Sequence, residues 1–342
     1  MTALLRSASL TGFAELAAEF GLDARALVAE VELPPRCLRD AELKVPASKV
    51  GRLLELAAKR AREPAFGLRM AESRRLSNLG PLALLLRDEP TLHSALEAVV
   101  RYIHVHNEAL ALEIEPSSNL VVIRQHLLGV GGQSLRQASE LALGVMFRVI
   151  AVFMGAAWRP RLVCFTHGRP ASLDVHRRIF GDAVEFGHEF DGIVCNATDL
   201  DRPNPGADPV LARFARRLLE PSLGAEASLA QRVRQLVVLL LPRGHCRVEI
   251  VAQHLGVDRR TVARRLAAEG TSFSGVVDGL RRDLAARYLD GDAAKPLGEV
   301  SALLGFSAPS AFSRWHSEHF GLSPIRRRAA RSVRGAIVSP RE

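Results

Sequence analysis

Cysteine is scarce and scattered in this sequence. Its four copies, Cys37, Cys164, Cys195 and Cys246, form no C-x-x-C pair, which excludes a zinc ribbon and a thioredoxin-type motif. They read as reduced, mostly buried thiols of a cytoplasmic protein; Cys164 and Cys195 become a redox pair only if their strands are neighbours. Catalytic signatures are missing too. There is no G-x-S-x-G, no Walker loop and no H-E-x-x-H, so neither an enzymatic centre nor a cofactor is expected. His104 and His106 are the closest histidine pair, but residues at i and i+2 diverge on a helix, and no ligand cluster accompanies them. Met1 to Phe20 lacks the charged start, apolar block and small-residue cleavage site of a signal peptide. The most apolar run, Leu141 to Trp158, carries Arg148 and falls short of the about 20 residues that a bilayer span needs. It predicts a buried helix.

What is present is ordinary globular material. The 342 residues are 48% hydrophobic and 24% charged, enough for two or three domains with sizeable cores. The formal charge of +9 is unevenly spread: Glu226 to Glu342 holds 19 Lys+Arg against 11 Asp+Glu, and the first 225 residues hold 27 against 26. A basic segment attached to a neutral one is the electrostatic footprint of a polyanion-binding domain.

Along the chain, Leu10, Phe13, Leu16 and Phe20, then Leu27, Val28 and Val31, predict two short helices broken by Gly21 and Pro34-Pro35. Val50, Leu53, Leu54, Ala57 and Ala58 share one face of a stronger helix that stops before Pro64. Helices over 81–86 and 91–106 follow, the second with Thr91 as its N-cap. Leu110, Leu112 and Ile114 then alternate with polar or small residues, and Leu120 to Leu128 follows the turn Pro116-Ser-Ser-Asn119. That pattern predicts a hairpin. A long helix over 134–155, a strand over 161–166, a short helix over 172–180 and a second hairpin over 183–196, turning near Asp191-Gly192, complete an α+β domain. The turn-rich stretch Asp201 to Pro209 marks its exit.

Two segments of one design follow, Ile250 to Leu266 and Val300 to Trp315. Each reads as a helix ended by glycine, a tight turn and a second helix with Arg, Ser or Thr outside. Such a helix-turn-helix needs a small residue where its helices cross, supplied by Ala252 and Ser301, and a sharp turn four positions on, where Gly256 and Gly305 stand 49 residues apart. The second turn is one residue longer. Val276, Val277, Leu280, Leu284, Tyr288 and Leu289 form one stripe of a joining helix over 274–289, with Arg281 and Arg282 expected to face away. On the first recognition helix Arg259, Arg260, Ala263 and Arg264 point outward; on the second, Ser310, Ser313 and Arg314 do. Arginine can grip guanine O6 and N7 with two donors. Thr261 and Ser307 suit helix starts or phosphate contacts, and Arg326-Arg-Arg328 adds positive charge before a mobile tail. Phe312, Trp315 and Phe320 fall on the packing side.

These residues resemble a known family. Leu255-Gly-Val-Asp-Arg-Arg-Thr-Val-Ala-Arg-Arg-Leu266, Glu269-Gly-Thr-Ser-Phe273, Leu304-Gly-Phe-Ser307, Ser310-Ala-Phe-Ser-Arg314 and Gly321-Leu-Ser-Pro324 look like the DNA-binding domain of AraC/XylS-type transcription regulators. Val45-Pro46, Phe66-Gly-Leu68, Trp158-Arg-Pro160, Phe180-Gly181, Phe186-Gly187 and Asp199-Leu-Asp-Arg-Pro203 look more loosely like the sensing domain of one branch. By position, the family's base contacts fall on Arg260, Ala263 and Arg264, then on Pro309, Ser310, Ser313 and Arg314; Ala263 and Pro309 have no side-chain donor to offer. His316 stands where the family often has Phe, and Arg327 where it has an aromatic residue. The resemblance implies a sensing domain that binds a small organic effector and pairs two subunits.

The expected fold is an α+β N-terminal sensing domain followed by an all-α domain with two helix-turn-helix motifs joined by a linker helix. Its boundaries are 1–205 for sensing and dimerisation, 206–227 for a linker, 228–328 for DNA binding and 329–342 for the tail. The expected function is a cytoplasmic, non-enzymatic, sequence-specific transcription regulator. Its partners would be double-stranded DNA, an effector, a second copy of itself and, for an activator, RNA polymerase, with no membrane. Arg259, Arg260, Thr261, Arg264, Ser307, Ser310, Ser313, Arg314, Arg326 and Arg328 are the DNA-contact candidates. The alternative is a DNA-binding unit fused to an N-terminal modification or repair enzyme.

Overall fold

The computed structural model describes residues 3–128, 135–225, 229–241, 244, 246–255, 257–290 and 295–329. The chain divides into two compact units, Met1–Ala227 and Ser228–Glu342. The first opens with β1 (Leu4–Arg6), α1 (Phe13–Glu19) and α2 (Ala24–Glu30). Strand β2 (Lys44–Pro46) runs antiparallel to β1 and feeds α3 (Ala47–Ala61). The predicted stripe of α3 is buried at Val50, Leu53, Leu54, Ala57 and Ala58. Helices α4 (Phe66–Glu72), α5 (Pro81–Asp88) and α6 (Leu92–His106) follow. As expected, Thr91 caps α6, its hydroxyl accepting the Ser94 amide at 3.2 Å.

Strands β3 (Leu110–Ser117) and β4 (Leu120–Leu127) form the expected antiparallel hairpin. After α7 (Arg136–Met154) come β5 (Leu162–Phe165), α8 (Asp174–Phe180), β6 (Val184–Phe186), β7 (Asp191–Asn196) and the short α9 (Ala197–Leu200). The sheet order is β3-β4-β7-β5-β6, parallel only between β5 and β6. The second predicted hairpin is therefore wrong, because β5 lies between β6 and β7. Asp191-Gly192 is no turn. Asp191 is buried and its Oδ1 accepts the Thr166 amide at 2.7 Å, while a Cβ on Gly192 would stand 2.7 Å from the Ile123 carbonyl oxygen. That glycine permits close backbone approach inside the sheet.

β5 and β7 are indeed neighbours, yet Cys164 lies opposite Gly192. Cys195 is three residues along and so on the other face, roughly 10 Å away along the strand, beyond the reach of a disulfide. Both thiols are buried and free, with burial pushing each up to about 12. The apolar run became α7, whose residues meet the length and composition of a membrane span. In this unit it is a core helix, with Leu143, Val149 and Ile150 at most 4% exposed and its sides packed on α3, α4 and β7.

Residues 206–227, read from sequence as a linker, hold α10 (Pro209–Ala225), which packs on α5 and α6 and belongs to the first unit. Its Arg216 pairs with the buried Glu89. Val210, Leu211, Phe214 and Leu218 of this helix are exposed.

The second unit contains α11 (Leu229–Leu240), α12 (Val248–His254), α13 (Arg259–Ala268), α14 (Phe273–Asp290), α15 (Leu297–Leu303) and α16 (Pro309–Phe320), and residues 324–329 are helical. Helix α14 is the joining helix, burying Val276, Val277, Leu280, Leu284 and Leu289 on the predicted stripe. α11 packs against it. The start of α11 is held by Glu269, whose carboxylate accepts the Leu229 and Ala230 amides at 2.7 and 3.0 Å. The tail from residue 330 and the turn glycine Gly256 lie outside the described residues.

Candidate nucleic-acid interface

The first motif is α12 against α13. Val251 and Ala252 on one helix and Val262 and Leu266 on the other are buried, and the Val257 amide closes the turn onto the Ala252 carbonyl at 3.1 Å. The small residue at the crossing is thus where the sequence put it. The cap of α13 is Asp258 rather than Thr261. Its Oδ1 accepts the Thr261 amide at 2.7 Å, and the Thr261 hydroxyl donates to Oδ2 at 3.0 Å. These bonds, the Thr261 amide foremost, hold the Asp258 carboxyl below its ordinary range.

Packing Val262 and Leu266 inward turns Arg259, Arg260, Ala263 and Arg264 to solvent. Arg259 reaches Glu249 at 3.4 Å. Arg260 and Arg264, one turn apart on the same face, make no ion pair or side-chain hydrogen bond among the described residues.

The second motif is α15 against α16. Ser301 is 1% exposed at the crossing, and Gly305 turns the chain at φ +68°. A Cβ there would stand 2.6 Å from the Leu241 carbonyl oxygen, so glycine is required by backbone conformation and by space together. Helix α16 starts at Pro309 after Ala308, which offers no side-chain cap; Ser307 is exposed in the turn. Phe312, Trp315 and His316 are buried, which leaves Ser310 and Arg314 exposed and Ser313 half-buried.

Arg281 departs from its expected outward position. Its Nε donates to the Leu304 carbonyl at 3.0 Å, and its guanidinium lies 4.2 Å from the Phe306 ring centroid. It fastens the joining helix to the turn of the second motif, and burial lowers its pKa. Arg282 is exposed. The two departures from the family pattern also have partners. His316 Nδ1 lies 2.7 Å from the Leu322 carbonyl, with its ring stacked on Phe320, and the Arg327 guanidinium covers the other aromatic contact, 4.5 Å from the Phe320 centroid.

The structure therefore brings Arg259, Arg260, Thr261 and Arg264 onto one helix and Ser310, Ser313 and Arg314 onto another, with Ser307 in the preceding turn. Arg326 is exposed, whereas Arg328 is half-buried and donates to the Lys295 carbonyl. Sequence reading missed Asp258 as the cap, Glu269 as the anchor of α11 and Arg281 as the bolt. Asp three residues before Thr261 was a legible cap signal; the other two reach residues 39 to 40 and 23 positions away, and no local pattern encodes such contacts.

The first unit contains a cavity of about 110 Å³. Its walls are α3, α6, α7 and the β3–β4 hairpin, through residues such as Leu54, Ile103, Leu112 and Leu141, with Arg74 and His106 at one end.

A neutral α+β unit with a cavity, joined to a basic unit of paired helix-turn-helix motifs, has the make-up of a DNA-binding protein with a separate N-terminal domain. Residues 21–204 match the family model described as the arabinose-binding domain of AraC transcription regulator, N-terminal, and residues 251–330 match a helix-turn-helix domain model. The chain belongs to the AraC family of DNA-binding transcription regulators. HTH-type transcriptional regulator VirS of Mycobacterium tuberculosis is 33% identical over 338 residues, covering 97% of this chain and 98% of its own. The ornithine utilization regulator of Pseudomonas aeruginosa is 26% identical over 314 residues, covering 91% and 92%. The crystal structure of transcriptional regulator CdpR from Pseudomonas aeruginosa covers 90% of this chain and 96% of its own at 21% identity and TM-score 0.42. VirS and the ornithine utilization regulator are regulators matched over nearly their whole length, which disfavours the fused-enzyme alternative.

Proposed function

We propose that the chain is a one-component, sequence-specific regulator in which α13 reads bases through Arg260 and Arg264, and α16 docks through Ser310, Ser313 and Arg314. The observation that carries this reading is the pair of exposed arginines one turn apart on α13, left without acidic partners among the described residues. Turned outward by the packing of Val262 and Leu266, these two are available to guanine edges. Arg259, Thr261, Ser307 and Arg326 supply phosphate contacts. Arg328 acts by holding the last helical turn against Lys295. The two recognition helices enter successive major-groove faces about 34 Å apart on one side of the duplex.

The first unit senses a small organic effector in its cavity, and two copies act together as a homodimer in the cytoplasm. As an activator, the dimer would contact RNA polymerase. A thermal-shift screen of the full chain against a metabolite set tests the sensing step: a saturable rise in Tm is expected, and no response to any compound would leave regulation by dimerisation alone. Footprinting with Arg260→Ala and Arg264→Ala tests the reading step. Each should lose sequence preference while keeping the fold; unchanged preference in both would mean that α13 is not the reader.

A further inference from the structure

The cavity of the first unit is walled by aliphatic side chains and carries at one end a positive charge that no carboxylate among the described residues neutralises. Arg74 lines it and is 4% exposed. Its terminal nitrogens donate to the Ala8 and Ser9 carbonyl oxygens, while its Nε has no hydrogen-bond partner. Among the described residues no carboxylate pairs with it, and burial is the sole cause that draws its pKa down to about 10. It stays charged at neutral pH. Arg6 nearby is a contrast, since Glu42 accepts from it at both Nε and a terminal nitrogen. Burying an unpaired guanidinium is costly and persists only where something offsets it.

The rest of the lining also favours an anion. Arg75, Asn78, Ser9 and His106 share this end, and among the described residues no Asp or Glu lines the cavity. His106 is neutral, because burial, followed by Arg6 and Arg74, draws its pKa down to about 3. Arg6 donates to Nδ1 at 3.4 Å, so the proton sits on Nε2, 3.2 Å from the Ser9 hydroxyl. A smaller hollow of about 50 Å³ shares Arg74 and Arg75 and adds Arg148. Arg75 and Arg148 are exposed, so solvent reaches the positive end. Among the described residues no Phe, Tyr or Trp lines the cavity. Flexible alkyl walls without a ring to stack on suit an alkyl chain better than an aromatic ligand.

We propose that this cavity binds an aliphatic carboxylate, its chain between α3, α6 and α7 and its charged head on Arg74, with Arg75 and Asn78 at the mouth. The assignment rests on the reading that the first unit senses a small organic effector, and it adds the chemical class. It commits the recognition to charge: a bidentate guanidinium–carboxylate contact in a site of low polarity.

The test is calorimetric titration of the full chain with hexanoate, decanoate and hexadecanoate, and with the alcohol and amine of the same lengths. At least one acid should bind saturably, and its alcohol and amine should bind at least tenfold more weakly. Because Arg74 also holds two backbone carbonyls, Arg74→Met is checked for fold by circular dichroism, and two further variants read the site independently. Ala142→Phe, which fills the cavity from its apolar wall, should abolish acid binding; Arg75→Ala should weaken it several-fold. An alcohol or amine bound as tightly as the acid, or acid binding unaffected by Ala142→Phe, overturns the assignment, as does the failure of every acid to bind. The underlying reading fails separately, only if no small molecule of any charge shifts Tm.

Discussion

Arg281 shows how one side chain can set the geometry of a recognition surface that it never joins. Its bonds to the Leu304 carbonyl and its place over the Phe306 ring tie α14 to the turn before α16. Arg281→Met should cost about 1–3 kcal/mol and weaken operator binding, and Arg281→Lys should recover little of either, because an ammonium lacks the planar fork. Denaturant unfolding and gel-shift titration measure the two effects; full binding by Arg281→Met would show that the bolt is dispensable. Gly305→Ala meets both a left-handed backbone and the Leu241 carbonyl oxygen at 2.6 Å. It should lose at least 1–2 kcal/mol, roughly the conformational cost alone.

His106 adds a pH term to the first unit. Its folded pKa of about 3 lies below the ordinary 6.5, so the native state favours the neutral ring. Stability from this site is complete above about pH 6.5 and is lost as pH falls from there towards 3. Arg6 and Arg74 both face the ring and oppose its protonation. His106→Gln should flatten the fall in Tm across that window; an unchanged slope would place the acid sensitivity elsewhere.

At the scale of elements, periodicity made the helices legible wherever one face was buried and the other wet. The stripes of α3 and α14 and the cap of α6 follow from local rules. The β3–β4 hairpin was legible because its turn is local; the pairing of β5 with β6 and β7 was not, because neither partner is the next strand by a short turn. Asp191-Gly192 looks like turn chemistry and serves the sheet instead, the aspartate holding the Thr166 amide and the glycine making room for Ile123. Gly192→Ala should therefore destabilise the sheet as a core substitution does, whereas a loop glycine would tolerate the change. Comparing its unfolding midpoint with that of Gly168→Ala, at an exposed position where nothing lies within 4 Å of an added Cβ and the backbone is not left-handed, isolates the packing cost at Gly192. The outward face of α13 was readable for the same reason as the stripes, since Val262 and Leu266 fix the inward direction. The cavity was not readable, because its walls come from helices and strands spread from α3 to α7, and an aliphatic lining has the composition of any core.

For the whole molecule, the charge division carries the functional argument. The segment from Glu226 onward holds 19 Lys+Arg against 11 Asp+Glu, so affinity for any duplex should fall steeply with salt. Removing one phosphate contact with Arg326→Ala should reduce the slope of log K against log salt by about 1 and leave sequence preference unchanged. On the proposed reading, specificity belongs to fewer groups. The two motifs are unequal: α13 presents Arg260 and Arg264 on one exposed face, unpaired among the described residues, and α16 presents Arg314 with Ser310 and Ser313 behind a proline start. The central claim, that α13 sets most of the sequence preference, is tested most directly by selecting bound duplexes from a random pool with the parent chain, Arg260→Ala, Arg264→Ala and Arg314→Ala. The account predicts that the two α13 variants relax the preference at one or two neighbouring base pairs, with a loss of about 1–3 kcal/mol in discrimination at each, and that Arg314→Ala mainly lowers overall affinity. A larger loss of preference in Arg314→Ala than in either α13 variant would contradict it.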